Sequence, residues 1–95
     1  CAALSFHGST EEADFDEILV ATGRRAAAAG LNLEAAGVAL EGSFVGTDHF
    51  LRTRTPHILA AGDVSGGYLF THVASYEGKL AAGNAFTDRP TPFDY

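Results

Sequence analysis

The sequence of 95 residues contains no methionine and no tryptophan, and it has a single cysteine, Cys1. One cysteine cannot form a disulfide within the chain, and this usage is typical of a reducing compartment, so we predict a cytoplasmic protein. Ninety-five residues suffice for one small domain. The sequence begins with Cys1 and not with an initiating methionine, so we interpret it as a piece of a longer protein.

Positive charge is scarce, with 6 Lys and Arg against 12 Asp and Glu and a formal net charge of -6. Nucleic-acid binding needs clustered cations, and here they are scattered, so we predict no nucleic-acid partner. No apolar run approaches the roughly 20 residues that span a bilayer, which predicts no membrane segment. The histidines His7, His49 and His57 lack metal-ligand spacing with each other or with Cys1, so no metal site is predicted.

The most informative stretch is residues 53–64, in which a turn precedes an apolar run and a Gly-Asp pair. Residues 58–61 have the continuous apolar character of a strand covered on both faces. Gly62 then allows the backbone a close approach, and Asp63 lies where the strand ends. Ligands of α/β sheets bind at the carboxyl ends of strands, so this pattern predicts an α/β fold that holds a dinucleotide.

The first half of the chain predicts further elements. Residues 2–7 followed by turn formers at 8–12 indicate a hairpin that leads into the next strand. Residues 17–21 form an apolar run typical of a strand buried on both faces, and Gly23 closes it. The alanine-rich stretch 24–30 is predicted to be a loop.

A short helix is predicted over residues 31–37 and is stopped by Gly37, with Leu33, Ala36 and Leu40 facing inward. Strands at 38–40 and 44–47 are then expected to form a small hairpin.

A final helix is predicted over residues 71–86, where apolar side chains recur at helical spacing. Residues 87–95 contain Pro90 and Pro92 and are expected to be an exit segment. We find no internal repeat and no coiled-coil heptads.

Three segments, in matching order and spacing, resemble the pyridine nucleotide-disulfide oxidoreductase family. Thr53 and the Ile-Leu-Ala-Ala-Gly-Asp run that ends at Asp63 resemble the second flavin-binding motif, and residues 16–25 resemble the Ala-Thr-Gly segment of the nicotinamide-binding domain. Residues 69–78 resemble the segment that follows the Asp. The resemblance extends from about residue 16 to residue 86.

This resemblance implies a Rossmann-like FAD- and NAD(P)-binding fold, of which the chain is a fragment with a small β-hairpin element. Residues 1–30 would end the NAD(P)-binding domain, and residues 31–95 would form the second part of the FAD-binding domain. The whole protein would be a homodimer that acts on a small-molecule or disulfide substrate.

The resemblance also assigns cofactor contacts. Asp63 would accept hydrogen bonds from the flavin's ribityl hydroxyls, although Asp at such a position is also a common turn cap. The amides at the start of the last helix would face the flavin ring, and Gly23 would pass close to the nicotinamide nucleotide. The full predicted set is Gly23, Gly62, Asp63, Leu69, Phe70, Thr71 and His72. Arg24 and Arg25 could contact a phosphate or cap carbonyl groups on a solvated loop, and the second is expected.

No catalytic residue is predicted. A general-base pair of His72 and Glu77 is rejected, because residues five apart on one helix do not face each other, and Glu77 is expected to be a solvent-exposed or capping carboxylate. The redox-active cysteine pair, the Gly-rich phosphate loops and the C-terminal His-Glu pair of the family have no counterpart in this sequence.

One departure from the family concerns residues 26–29, which are alanines where a Pro-Asn pair usually follows the Arg. This departure bears on how the loop packs and on the subfamily of the chain. A hypothesis of a different class is also kept, in which the chain is a stand-alone acidic α/β module that has no catalytic role and mediates interactions. A coding sequence of several hundred residues with a Gly-x-Gly-x-x-Gly near its start would favour the enzyme.

Overall fold

The computed structural model describes the backbone of residues 2–95 and the side chains in that range other than Phe6, so that Cys1 lies outside the described residues. Strand β1 (Ala2–Phe6) pairs antiparallel with strand β2 (Ser9–Ala13), Ala2 lying opposite Ala13. The turn consists of His7 and Gly8, both with positive φ (48° and 81°), as two-residue hairpins require. A hairpin at the start of the chain is confirmed, but it closes earlier than predicted, because residues 9–12, predicted as turn formers, lie in strand β2.

The strand predicted at residues 17–21 is wrong. Ile18, Leu19 and Val20 are 62%, 90% and 70% exposed, and their backbone is irregular. A strand buried on both faces needs neighbours, and the two sheets of the described chain, β1–β2 and a second hairpin, do not include these residues.

The predicted short helix is present as two 3-10 helices, Ala29–Leu31 and Leu33–Ala36. Gly37 ends the second with φ 71° and donates its N–H to the Glu34 carbonyl at 3.0 Å, which confirms the predicted stop. The expected inward face is only partly right. Leu33 is half-buried, whereas Ala36 is exposed, because the 3-10 geometry rotates side chains differently from an α-helix. Leu40 is also exposed, and it lies beyond the helix, in the strand that follows.

The second hairpin is confirmed in shortened form. Strand β3 (Leu40–Glu41) pairs antiparallel with strand β4 (Phe44–Val45), and Gly42 and Ser43 make the turn. Residues 24–28 precede this region as the predicted loop, within which Ala28 is buried.

Residues 58–61 do not form the predicted parallel strand. Thr53 N donates to the Ile58 carbonyl at 2.9 Å and Ala60 N to the Leu51 carbonyl at 3.0 Å, around one antiparallel bridge. The turn explains this local pairing, because the Thr53 hydroxyl bonds both the N–H and the carbonyl of Thr55 and folds the chain back on itself. Residues 58–61 are consequently half-buried instead of fully covered.

Helix α1 (Thr71–Asn84) confirms the predicted final helix, with its end two residues earlier than expected. Its buried side chains are Val73 and Glu77. In the part of the chain that the structure describes, no helix is long and apolar enough to cross a membrane.

The C-terminal segment runs back along α1. Asn84 donates from Nδ2 to the Thr91 carbonyl at 2.8 Å and accepts the Thr91 N–H on Oδ1 at 2.8 Å. Phe93 N donates to the His49 carbonyl at 2.9 Å, and Asp94 N donates to the Tyr76 hydroxyl at 3.2 Å. The predicted exit segment is therefore held against the helix.

The apolar core is small and consists of Ala28, Val38, Val45, Leu51 and Val73. The radius of gyration is 18.3 Å, against the about 12 Å expected for a compact chain of this size. Residues 2–95 thus contain the α and β elements of the predicted class, as two small antiparallel sheets and one helix, but the parallel sheet of a Rossmann-like fold is not formed among them.

Candidate functional site

The candidate site begins at Gly62, where the chain turns towards α1. Gly62 has φ 81° and ψ -158°, a conformation that essentially only glycine adopts. A Cβ on Gly62 would lie 3.2 Å from the Cβ of Ala74, tighter than ordinary packing. The close approach predicted for Gly62 is therefore an approach to the helix of the same chain.

Asp63 begins a short 3-10 helix, Asp63–Ser65, which directly follows Gly62. Its side chain is 53% exposed, and Oδ2 lies 3.3 Å from Nη1 of Arg24. The carboxylate therefore faces solvent and is accessible to a ligand.

Arg24 connects two predicted site segments. The Nη1 that approaches Asp63 also donates to the Leu69 carbonyl at 3.2 Å, so Arg24 caps a carbonyl as expected. The ion pair with Asp63 was not expected from the sequence. This single side chain brings the region after Gly23 beside the turn at Asp63.

The N-terminus of α1 lies directly after Leu69. Phe70 is the N-cap residue in an extended conformation, and the first turn has neither an acidic side chain nor a side-chain cap. The rings of Phe70 and His72 stack with centroids 5.6 Å apart at an interplanar angle of 14°. Thr71 and His72 are exposed, so the positive end of the helix dipole is open to solvent.

The position of Glu77 differs from the one predicted from the sequence. We predicted a solvent-exposed or capping carboxylate, but Glu77 is only 2% exposed. Its Oε2 accepts the N–H of Gly62 at 2.6 Å and lies 3.5 Å from the Ser65 hydroxyl. The capping part of the prediction holds, since the carboxylate bonds a backbone amide at the start of a turn. The predicted exposure of Glu77 was wrong, because Glu77 lies one helical turn after the buried Val73 and therefore on the same face of α1.

The second oxygen of Glu77 is bound by the C-terminal residue. The Tyr95 hydroxyl donates to Glu77 Oε1. Burial of this hydroxyl raises the pKa of the Tyr95 phenol, and the hydrogen bond and negative charge of Glu77 raise it further. Glu77 thus bonds both the turn before Asp63 and the end of the chain.

An aromatic cavity of about 380 Å³ lies beside the start of α1. The Tyr68 and Tyr95 rings meet edge to face with their centroids 5.3 Å apart. The centroid of the Phe93 ring lies 4.8 Å from the centroid of the Tyr95 ring. The cavity is lined by Tyr68, Phe70, His72, Val73, Tyr76, Asp94 and Tyr95.

The remaining predicted site residue, Gly23, directly precedes Arg24. Gly23 has φ 112° and open space where a Cβ would be, so its backbone surface is accessible.

The general-base pair rejected above does not form, since Glu77 bonds Gly62 and His72 stacks on Phe70. Over residues 2–95, no group of three or more His, Cys, Asp or Glu residues could hold a metal ion.

Two features of the site escaped the sequence analysis. The helical spacing from Val73 to Glu77 could have revealed the buried carboxylate, because residues four apart share a helix face. The contact between Arg24 and Asp63 joins segments 39 residues apart, and local patterns carry no information about such a pairing.

Comparison with known proteins assigns the chain to a family. Residues 3–78 match the model of the pyridine nucleotide-disulphide oxidoreductases. A mercuric reductase from Staphylococcus aureus is 42% identical over 83 residues, which cover 86% of this chain and 15% of the relative. Dihydrolipoyl dehydrogenases are similarly related. The enzyme of Chlamydia trachomatis is 40% identical, and the match covers 85% of this chain and 17% of the relative. The enzyme of Geobacillus stearothermophilus is 39% identical, and the match covers 94% of this chain and 19% of the relative.

The chain therefore spans less than a fifth of the length of these relatives. The match covers all three segments whose resemblance was noted in the sequence, at residues 16–25, 53–63 and 69–78. Because the family model covers well over half of the sequence, the chain belongs to the pyridine nucleotide-disulphide oxidoreductase family.

Proposed function

We propose that this chain supplies flavin-binding contacts in an oxidoreductase that passes a hydride from NAD(P)H through FAD to a disulfide or a related acceptor. The family in general depends on FAD and NAD(P). The single observation that carries the proposal is the exposed carboxylate of Asp63, whose partner Arg24 also bonds the Leu69 carbonyl shortly before α1.

Asp63 is assigned to the ribityl hydroxyls of FAD. Within residues 2–95 its protein partner is the Arg24 guanidinium on Oδ2, which leaves Oδ1 available as an acceptor. A carboxylate that accepts hydroxyl protons forms charge-assisted hydrogen bonds, which are about twice as strong as neutral ones. The partly exposed position allows Asp63 to bind a ligand without first being released from a buried pair.

The beginning of α1 is assigned to the flavin ring. The peptide groups of Leu69, Phe70, Thr71 and His72 lie at the positive end of the helix dipole, and no acidic side chain in the first turn compensates that end. Such amides stabilise the electron-rich N1 and O2 edge of an isoalloxazine ring. The Phe70 N–H already donates to the Tyr68 carbonyl at 2.9 Å, so the N–H groups of Thr71 and His72 are the donors on this turn that fit the group that the family binds.

FAD, when bound, would supply the hydride chemistry itself. The residues of this chain would bind and orient the cofactor and tune its electrostatics, and none is assigned a catalytic role. We therefore do not expect the 95-residue chain alone to turn over.

The wider assignments follow the same proposal. Residues 1–30 would end the NAD(P)-binding domain, where Gly23 lets the backbone pass close to the nicotinamide nucleotide, and residues 31–95 would belong to the FAD-binding domain. The whole protein would be a cytoplasmic homodimer. The relatives' names, mercuric reductase and dihydrolipoyl dehydrogenase, differ in substrate, and we propose a disulfide or another small molecule as the acceptor.

The proposal is tested by Asp63→Ala in the full-length protein. Loss of one charge-assisted hydrogen bond, about 1.5 to 3 kcal/mol, should weaken FAD binding by roughly one to two decades. Flavin content after purification and the FAD dissociation rate are the measurements. Asp88→Ala, which removes an exposed carboxylate outside the site, is the matched control. Wild-type flavin content and dissociation rate in Asp63→Ala would refute the assignment.

A further inference from the structure

Glu77 is a buried carboxylate without a role in the proposed function. It is 2% exposed, and its Oε2 lies 2.6 Å from the N–H of Gly62, the residue before Asp63. Burying a carboxylate is costly unless hydrogen bonds compensate, and here the compensation comes from the backbone of the candidate site and from the Tyr95 hydroxyl.

The peptide groups on both sides of Gly62 are held. Glu77 accepts its N–H, while the Ser65 hydroxyl donates to its carbonyl at 2.8 Å and the Ser65 N–H donates to the same oxygen at 3.0 Å. Since glycine has no side chain to restrict its φ and ψ, these bonds determine how the next residue is oriented. The next residue is Asp63.

We propose that Glu77 is a positioning residue, which holds the Gly62 peptide so that the Asp63 carboxylate is directed towards the ribityl hydroxyls of FAD. This inference rests on the proposed function of Asp63. Glu77 touches the backbone of Gly62 and not the ligand, so it acts through Asp63. Its effect on FAD binding therefore depends on the presence of the Asp63 carboxylate.

The variants follow from this geometry. Glu77→Ala removes the acceptor of the Gly62 N–H. Glu77→Asp keeps the charge but shortens the side chain by one methylene, so that the 2.6 Å hydrogen bond is lost. Glu77→Gln keeps an acceptor oxygen for Gly62, and its amide group can donate to the Tyr95 hydroxyl oxygen, so it should rescue the function.

The experiment is a double-mutant cycle in the full-length protein. Apoprotein freed of flavin is titrated with FAD, and binding is followed by flavin fluorescence. Glu77→Ala should weaken FAD binding about tenfold, the size of one hydrogen bond, when Asp63 is present, and have no further effect when Asp63 is alanine. Glu77→Gln should bind within about twofold of wild type. Glu34→Ala, which removes an exposed glutamate, is the control.

The outcomes separate this inference from the proposed function. If Asp63→Ala binds FAD like wild type, the proposed function fails, whatever Glu77 does. If Asp63→Ala weakens binding but Glu77→Ala does not, or if the two effects simply add, the positioning role is overturned and Glu77 only stabilises the fold. Should Glu77→Ala not fold, Glu77→Asp takes its place in the same cycle, and the same criterion of additivity decides.

Discussion

Arg24 and Asp63 form an ion pair in which Nη1 and Oδ2 are 3.3 Å apart, and the same nitrogen donates to the Leu69 carbonyl. The pair joins two segments 39 residues apart in the sequence. It lies at the surface, since the side chains of Arg24 and Asp63 are 64% and 53% exposed. Solvent screening therefore limits what the pair can contribute to stability.

The first prediction concerns this pair. Exposed ion pairs contribute between about 0 and 1 kcal/mol, so Arg24→Ala in the full-length protein should lower the free energy of unfolding by no more than about 1 kcal/mol. Urea denaturation measures the change, and Arg25→Ala at the neighbouring exposed position is the matched control. A loss several times larger than in the control would mean that the pair holds the two segments together.

The second prediction concerns the strained glycine. Gly62→Ala places a Cβ 3.2 Å from that of Ala74 and forces alanine into a conformation with φ 81°. Backbone strain of this kind costs of order 1–3 kcal/mol, so the melting temperature and the FAD content should both fall. Gly67→Ala is the control, because Gly67 also has positive φ, 75°, but open space around the added Cβ. Equal losses in both variants would rule out the close approach to α1 as the cause.

The third prediction concerns alkaline pH. Burial and then Glu77 raise the pKa of the Tyr95 phenol above its ordinary value of 10.0, so the folded state keeps this proton at pH values where the unfolded state loses it. The stabilising contribution of Tyr95 is fully present below pH 10 and is lost as the pH rises towards the folded-state pKa.

Unfolding measured by urea between pH 8 and about pH 11 should therefore show a decline in wild type that Tyr95→Phe lacks. Tyr68→Phe, in a neighbouring ring of the same aromatic cluster, is the control and should keep the decline. Identical pH profiles in wild type and Tyr95→Phe would contradict the hydrogen bond to Glu77.

The fourth prediction concerns the isolated 95-residue chain. Ile18, Leu19 and Val20 form a contiguous apolar run that is 62–90% exposed, and the apolar core is small. Contiguous exposed apolar surface promotes association, so we expect a marginally folded or self-associated chain. Sedimentation velocity of the recombinant chain measures this directly.

Replacing Leu19 and Val20 together by serine should increase the monomer fraction. Phe86→Ser is the control, since Phe86 is 93% exposed but lies outside the run. A monodisperse wild-type monomer with a sharp melting transition above about 60 °C would instead establish a self-sufficient domain.

Local elements were predictable because their causes are local. The turn at Gly8, the stop at Gly37 and the helix from Thr71 follow from residues within a few positions of each element. The strands at 17–21 and 58–61 were wrong, because an apolar run specifies burial but not the neighbour that provides it. Residues 58–61 pair with 51–53, since the Thr53 turn brings these segments together.

The candidate site, too, was predictable only where its causes are local. The sequence placed Gly62, Asp63 and the start of α1 in one region, and in the structure Arg24 contacts both Asp63 and the Leu69 carbonyl, while Gly62 lies against Ala74 of α1. The ion pair with Arg24 and the hydrogen bond from Tyr95 to Glu77 were not predictable, because each depends on how distant segments come together. The buried position of Glu77 follows from helical spacing and could have been predicted.

The paired hydrogen bonds between Asn84 and Thr91 have a consequence for the end of the chain. A side-chain amide that both donates to and accepts from the backbone of one residue imitates a neighbouring β-strand, and it fits a single register of the segment. A slip of one residue would break both bonds at once and carry Phe93 and Tyr95 away from His49 and Glu77. The contacts of residues 91–95 with α1 and with His49 therefore depend on one register, which the side chain of Asn84 selects.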